Sequence, residues 1–177
     1  MRLFIAIELP EELNNKISEL KKKLDTEYAK TTLTRENHLT VKFLGEVEDS
    51  KIDEIKESLK KVEFNSYKAR LNEIGVFPNE DYIRVVWVGV KPAEETIQLK
   101  EKIDDVLKDF KDDFEFHPHI TLARVKFIKD KPKFKELVKS LKIEDSEFDV
   151  KEFKLIKSEL TPEGPVYSDL GVYGTKL

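Results

Sequence analysis

Of the three histidines in this chain, two head the same four-residue pattern, His38-Leu39-Thr40-Val41 and His119-Ile120-Thr121-Leu122. Imidazole titrates near neutral pH, so a pair of histidines can take and give a proton within one reaction. If each pattern lies on a strand, alternation puts His and Thr on one face and the two aliphatic residues on the other, toward a core. Two such strands related by a pseudo-two-fold axis would set two imidazoles on opposite sides of a central point, with two hydroxyls between them. That arrangement suits in-line displacement at phosphorus. One imidazole accepts a proton from attacking water, the other protonates the departing oxygen, and the hydroxyls of Thr40 and Thr121 donate to the non-bridging oxygens as charge builds there.

The elements that must position these residues are readable from periodicity. A strand is expected over 2–8, then a helix over 10–28 with Pro10 in its first turn and Leu13, Ile17, Leu20 and Leu24 along one face. A strand over 40–45 ends at Gly45, and Asp49 or Ser50 caps a second helix carrying Ile52, Ile55, Leu59 and Val62. Strands over 69–77 and 82–90 flank a turn at 78–81. Pro92 opens a third helix, with Ile97, Leu99, Ile103, Val106, Leu107 and Phe110 as its apolar positions. A strand over 119–127, a short helix over 132–141 and two strands over 147–160 and 166–172 complete the chain. Helices interspersed with hairpins favour an α+β fold with antiparallel sheet. The repeated helix-then-motif-strand unit suggests two similar lobes within a single bilobal domain spanning 1–177.

Composition narrows the chemistry. The chain has no cysteine, which excludes disulfides, thiolate zinc sites and a cysteine nucleophile. Lys and Glu dominate the 38% of charged residues, a bias that fits a thermophilic source. Net charge is −4, so a nucleic-acid partner must be held by a local basic patch. No signal-peptide core and no apolar run of bilayer-spanning length is present, so a cytoplasmic location without membrane contact is the expectation.

Other residues have two readings each. His117 and His119 flank Pro118 and could share a metal ion, although no third ligand at a known spacing accompanies them. Lys42 should share the face of His38 and Thr40 and meet a phosphate, or else be a solvated lysine. Arg84 and Trp87 alternate on one strand, which makes Trp87 core and leaves Arg84 to face the cleft or to pair with an acid. Tyr167 and Phe43 either stack on a base or pack in the core.

The paired HxTx motifs resemble those of the 2H phosphoesterase superfamily, in particular its RNA 2',3'-cyclic phosphodiesterase branch, also called 2'-5' RNA ligase-like or LigT-like. The similarity extends through Arg2 to Ile7, Asn37 to Gly45, Trp87 to Gly89, Pro118 to Arg124 and Ser158 to Tyr167. It implies two antiparallel sheets facing across a cleft, helices outside, no metal or cofactor, and hydrolysis of cyclic phosphates on RNA ends to 2'-phosphates. Candidate substrates are RNA ends, tRNA halves among them, or small cyclic nucleotides, bound by a monomer. The resemblance makes His38 the donor to the leaving 3'-oxygen, His119 the base for water, Thr40 and Thr121 phosphate ligands, and Arg124 a phosphate or nucleotide contact. Strict alternation puts Arg124 opposite His119 unless a bulge re-aims it. A 2'-5' ligase running the reverse reaction and an RNA-end-binding module without turnover are the alternatives.

Overall fold

The computed structural model describes residues 1–110 and 114–176. The elements run β1 (Arg2–Glu8), α1 (Glu11–Lys22), β2 (Ala29–Leu33), β3 (His38–Glu46), a 3₁₀ turn (Asp49–Lys51), α2 (Ile52–Leu59), β4 (Tyr67–Asn79), β5 (Tyr82–Lys91), α3 (Ala93–Val106), β6 (His119–Ile128), α4 (Lys131–Ser140), β7 (Ser146–Val150), β8 (Glu152–Thr161) and β9 (Gly164–Gly174). The strands form two antiparallel sheets, ordered β3-β1-β8-β9 and β2-β6-β5-β4-β7. This is the expected α+β architecture with internal duplication. In each half a central strand leads through a proline into a helix and then into the adjacent motif strand, β1-α1-β3 and β5-α3-β6. The last strand of each unit crosses over, so β4 joins the sheet of β5 and β8 joins that of β1.

Three expectations are corrected in detail. The first helix ends at Lys22, and the chain then forms β2, an edge strand beside β6. Its sequence, Ala-Lys-Thr-Thr-Leu, carries β-branched residues but little alternating apolar signal, because only part of it meets the core. The third helix stops at Val106, so Leu107 and Phe110 lie beyond it. The single strand expected over 147–160 is two strands in different sheets, parted only by Lys151. The buried positions change phase there, from Val150 to Phe153 across exposed Lys151 and Glu152, and a one-residue slip of this kind reads from periodicity as a bulge within one strand.

One core joins the helices to the sheets. Ile17 and Leu20 of α1, Leu99 and Ile103 of α3 and Phe134 of α4 are buried against Ile5, Ile7, Leu39, Val86, Val88 and Ile120. Among the described residues no helix is long and apolar enough to cross a membrane. Asp130 caps α4 by accepting a bond from the Lys133 amide, and this helix drops Phe134 into the core. Phe134→Ala should therefore cost about 3–5 kcal/mol in denaturant unfolding. Phe114→Ala, at a ring 88% exposed, should change stability by no more than about 0.5 kcal/mol.

Candidate active site

Both motifs sit at the start of their strands, and both strands carry a bulge at the fourth motif residue. On β3, Thr40 pairs with Ala6 of β1 while Lys42 pairs with the next residue, Ile5, leaving Val41 as the extra residue. On β6, Thr121 pairs with Trp87 of β5 while Ala123 pairs with Val86, leaving Leu122 extra. Each bulge buries two consecutive side chains, Val41 with Lys42 and Leu122 with Ala123, and reverses the alternation beyond it. Phe43 and Arg124 are thereby returned to the faces of Thr40 and Thr121.

The imidazoles are packed in aromatic surroundings. His38 lies opposite Glu8 on β1, with the Phe4 ring 5.0 Å away and the Tyr167 ring edge-on at 5.5 Å. His119 lies opposite Gly89 on β5, edge-on to Phe77 at 5.0 Å and 6.0 Å from Trp87. The Trp87 indole lies flat over β4, where only a glycine fits, since a Cβ at Gly75 would sit 2.1 Å from the indole ring. Nδ1 of His119 is 2.6 Å from the carbonyl oxygen of His117, to which its N–H donates, so Nε2 is the nitrogen left for chemistry.

Two routes, each partly bonded or in contact and partly electrostatic, run between the motifs. The connection from β2 to β3 runs past both: the Thr34 amide donates to the Leu122 carbonyl at 3.0 Å, and the Thr34 hydroxyl donates to that of Thr121 at 2.8 Å. Lys21, from α1, donates to the Thr34 carbonyl at 2.9 Å and acts electrostatically on His38. On the other side Tyr167, in contact with His38, is within electrostatic reach of Arg124, which also acts on His119. Burial, reinforced by Lys21, pushes His38 down to about 4. Burial also lowers His119, opposed by its bond to His117 and assisted by the charges of His117 and Arg124. A pocket of about 350 Å³ opens beside His38, lined among others by Asn14, Ser18, Glu36 and Asn37. Burial raises the Glu36 carboxyl, and Glu8 and Asp169 raise it further.

The two motif strands, β3 with His38 and Thr40 and β6 with His119, Thr121 and Arg124, are in contact, and Arg124 acts on His119; two expected orientations are corrected. Lys42 does not share the face of His38. The Val41 bulge turns it inward, where its fully buried side chain forms a 2.6 Å ion pair with Asp104 of α3. Trp87 is beside His119, not in the core behind the sheet. Arg84 sits on an irregularity of β5, exposed, over the Tyr82 ring and bonded to the Lys126 carbonyl of β6. His117 meets His119 through its backbone, and among the described residues no three His, Asp or Glu side chains converge as metal ligands. Sequence reading missed Phe4, Phe77, Thr34 and Lys21. Only Lys21 carried a signal, a charged residue at i+4 from Ile17 on the apolar face of α1.

Residues 9–162 match the model of the 2'-5' RNA ligase superfamily. A Methanocaldococcus jannaschii protein named RNA 2',3'-cyclic phosphodiesterase is 39% identical over 170 residues, covering 94% of this chain and 96% of that protein. A Thermotoga maritima protein of the same name is 38% identical over 176 residues, 96% and 93% of the two chains. Among solved structures, Escherichia coli LigT in apo form superimposes with a TM-score of 0.78 at 26% identity, covering 99% of this chain and 98% of that one. LigT complexed with 3'-AMP gives 0.75 at 25% identity, with the same coverage.

The electrostatics fix a measurable order of protonation. In the ligand-free protein both cleft imidazoles should titrate below the ordinary value near 6.5, His38 lowest, at about 4. Two-dimensional ¹⁵N–¹H NMR of the imidazoles across pH 3–9 reads both midpoints and should show His119 with its proton on Nδ1 at neutral pH. A His38 midpoint at or above 6.5 would contradict this account of the cleft.

Proposed function

The chain belongs to the 2'-5' RNA ligase superfamily, and we propose that within it this protein hydrolyses 2',3'-cyclic phosphates at RNA ends to 2'-phosphates. The observation that carries the reading is the pair of imidazole–hydroxyl units, each followed by a bulge at the same motif residue. The name shared by the relatives and the 3'-AMP bound by LigT support it.

In this mechanism His119 is the base. Its Nδ1–H is committed to the His117 carbonyl, and Nε2 takes a proton from water as the water oxygen bonds to phosphorus. The P–O3' bond breaks on the opposite side, and His38 gives its proton to the 3'-oxygen. The hydroxyls of Thr40 and Thr121, neither used by an acceptor among the described residues, donate to the non-bridging oxygens, and Arg124 adds positive charge from the His119 side. These groups supply every proton transfer and hydrogen bond the step requires, so the reaction proceeds without a metal ion. The exchange of β4 and β8 between the sheets supports treating the chain as one bilobal unit. The superfamily name also supports the reverse reaction, in which a 5'-hydroxyl takes the place of water and 2'-5' ends are joined.

The test is product analysis after incubation with RNA ending in a 2',3'-cyclic phosphate, in the presence of EDTA. A 2'-phosphate end is expected at an undiminished rate, and His38→Ala and His119→Ala should each be slower by roughly 10²- to 10⁴-fold. A product only in the ligation direction would select the reverse reaction, and binding without turnover would leave an RNA-end-binding protein.

The rate should also have a distinctive pH dependence. Turnover needs His119 neutral and His38 protonated; with His38 the lower of the two this is the minor singly protonated form of the free enzyme, and it too is most populated between the two midpoints. Both are lowered, His38 to about 4, so kcat/KM should peak on the acid side of 6.5 and fall as pH rises above it. In the complex the bound phosphate's negative charge favours the imidazolium, which should carry the alkaline limb of kcat to higher pH. Coincident limbs for kcat and kcat/KM would count against this.

A further inference from the structure

We propose that Lys21 is a positioning residue for this reaction, its buried ammonium being the fixed positive charge against which both His38 and the scissile phosphate are set. The inference rests on the hydrolytic reading above and adds a residue that neither motif contains.

Lys21 lies on the apolar face of α1, 4% exposed, among Ile17, Leu20 and Leu24. An ammonium so placed is costly unless a charge partner offsets its lost hydration. The other buried lysines of the fold have one: Lys42 and Lys100 both bond Asp104, at 2.6 Å each. For Lys21, among the described residues, no carboxylate is within ion-pair distance, and its bond is to the Thr34 carbonyl. The counter-charge it suits is one that arrives with the substrate.

Its location fits that role. Thr34 is the residue whose amide and hydroxyl hold the carbonyls of Leu122 and Thr121, so the Lys21 nitrogen is one residue removed from the second motif. Its charge also bears on His38 of the first motif and lowers the proton affinity of that imidazole. The groups around His38 are Lys21 from α1, Glu8 from β1, Arg35 and Glu36 from the connection before β3 and Tyr167 from β9, with Lys154 of β8 bonded to Glu8 and Asp169 and the latter acting on Glu36. Lys21 is the one whose effect on the imidazole is expressed. During hydrolysis the proton of water passes to His119 and that of His38 to the 3'-oxygen, while Lys21 keeps its own. It complements the negative charge that gathers on the phosphorane oxygens and makes His38, once protonated by the bound anion's influence, a stronger acid.

Stability supplies a signature that a merely structural lysine would not give. Burial lowers Lys21 from 10.5 to about 8. As pH falls through that interval the unfolded chain takes up the proton first, so stability is lost between about 10.5 and about 8 and remains lost below. Lys21→Met should therefore melt higher than wild type at pH 7, with the difference closing above pH 10 or so. The same variant should lose roughly tenfold or more in kcat/KM, and its His38 midpoint should rise from the wild-type value. Lys21→Arg, which keeps the charge, should retain more of the rate. Lower stability in Lys21→Met with an unmoved His38 midpoint would overturn the proposal. Should that variant not fold, the wild-type His38 ring followed by NMR from pH 7 to 9.5 gives the answer: a second inflection near 8 is expected, and a flat trace refutes the coupling. The NMR arm needs no turnover, so failure of the hydrolytic reading and failure of the Lys21 assignment are distinguishable.

Discussion

A strand shows every second side chain to a given face, and the cleft depends on breaking that rule at the same motif residue in each half. The extra residues, Val41 and Leu122, follow immediately after the motif threonines, so the His-x-Thr segment keeps regular alternation while everything beyond it is re-aimed. Without the Leu122 bulge Arg124 would enter the core, and without the Val41 bulge Phe43 would do so while Lys42 faced the cleft. The same irregularity at the same motif position makes the two halves comparable, and it fits the halves to different jobs through the residue it delivers, a phenyl ring to one and a guanidinium to the other.

Charge breaks the symmetry further. Beside His38 lie Glu8, Glu36 and Asp169, with Lys154 bonded to both Glu8 and Asp169 at 2.6 and 2.7 Å. The charges acting on His119 are those of His117 and Arg124. Burial disfavours the imidazolium at both histidines, so the two rings favour their neutral forms and a bound anion would restore the proton they need. Desolvation that works against the folded state is thus converted into selectivity for a negatively charged ligand.

The sequence made legible whatever depends on local repetition. The duplicated His-x-Thr pattern, the proline before each of α1 and α3 and the apolar faces of the four helices all repeat at periods that packing enforces. Long-range events were illegible. Lys42 reads as a cleft residue under strict alternation because a bulge leaves no composition signal in Val-Lys. Trp87 reads as core because its place depends on Gly75, a strand away. Strand β2 goes unassigned because its pairing with β6 rests on backbone bonds more than on apolar side chains. The passage from β7 to β8 is hidden because the one-residue phase slip at Lys151 and Glu152 reads as a bulge within one strand as readily as a change of sheet.

The exchange of final strands between the sheets also bears on how the protein comes into being on the ribosome. Glu8 and Lys154, joined in the first sheet by a direct bond, are 146 residues apart in sequence. At ordinary translation rates of about 5–20 residues per second, β1 waits on the order of ten to thirty seconds for its second neighbour. Throughout that time one edge of a strongly apolar strand has no ladder partner, a state that invites association with other nascent chains. The finished sheet forms late and non-locally, so folding should be slow for a chain of this length. Interrupted synthesis would then yield no half-sized phosphoesterase, because each histidine-bearing sheet needs a strand from the other half of the message.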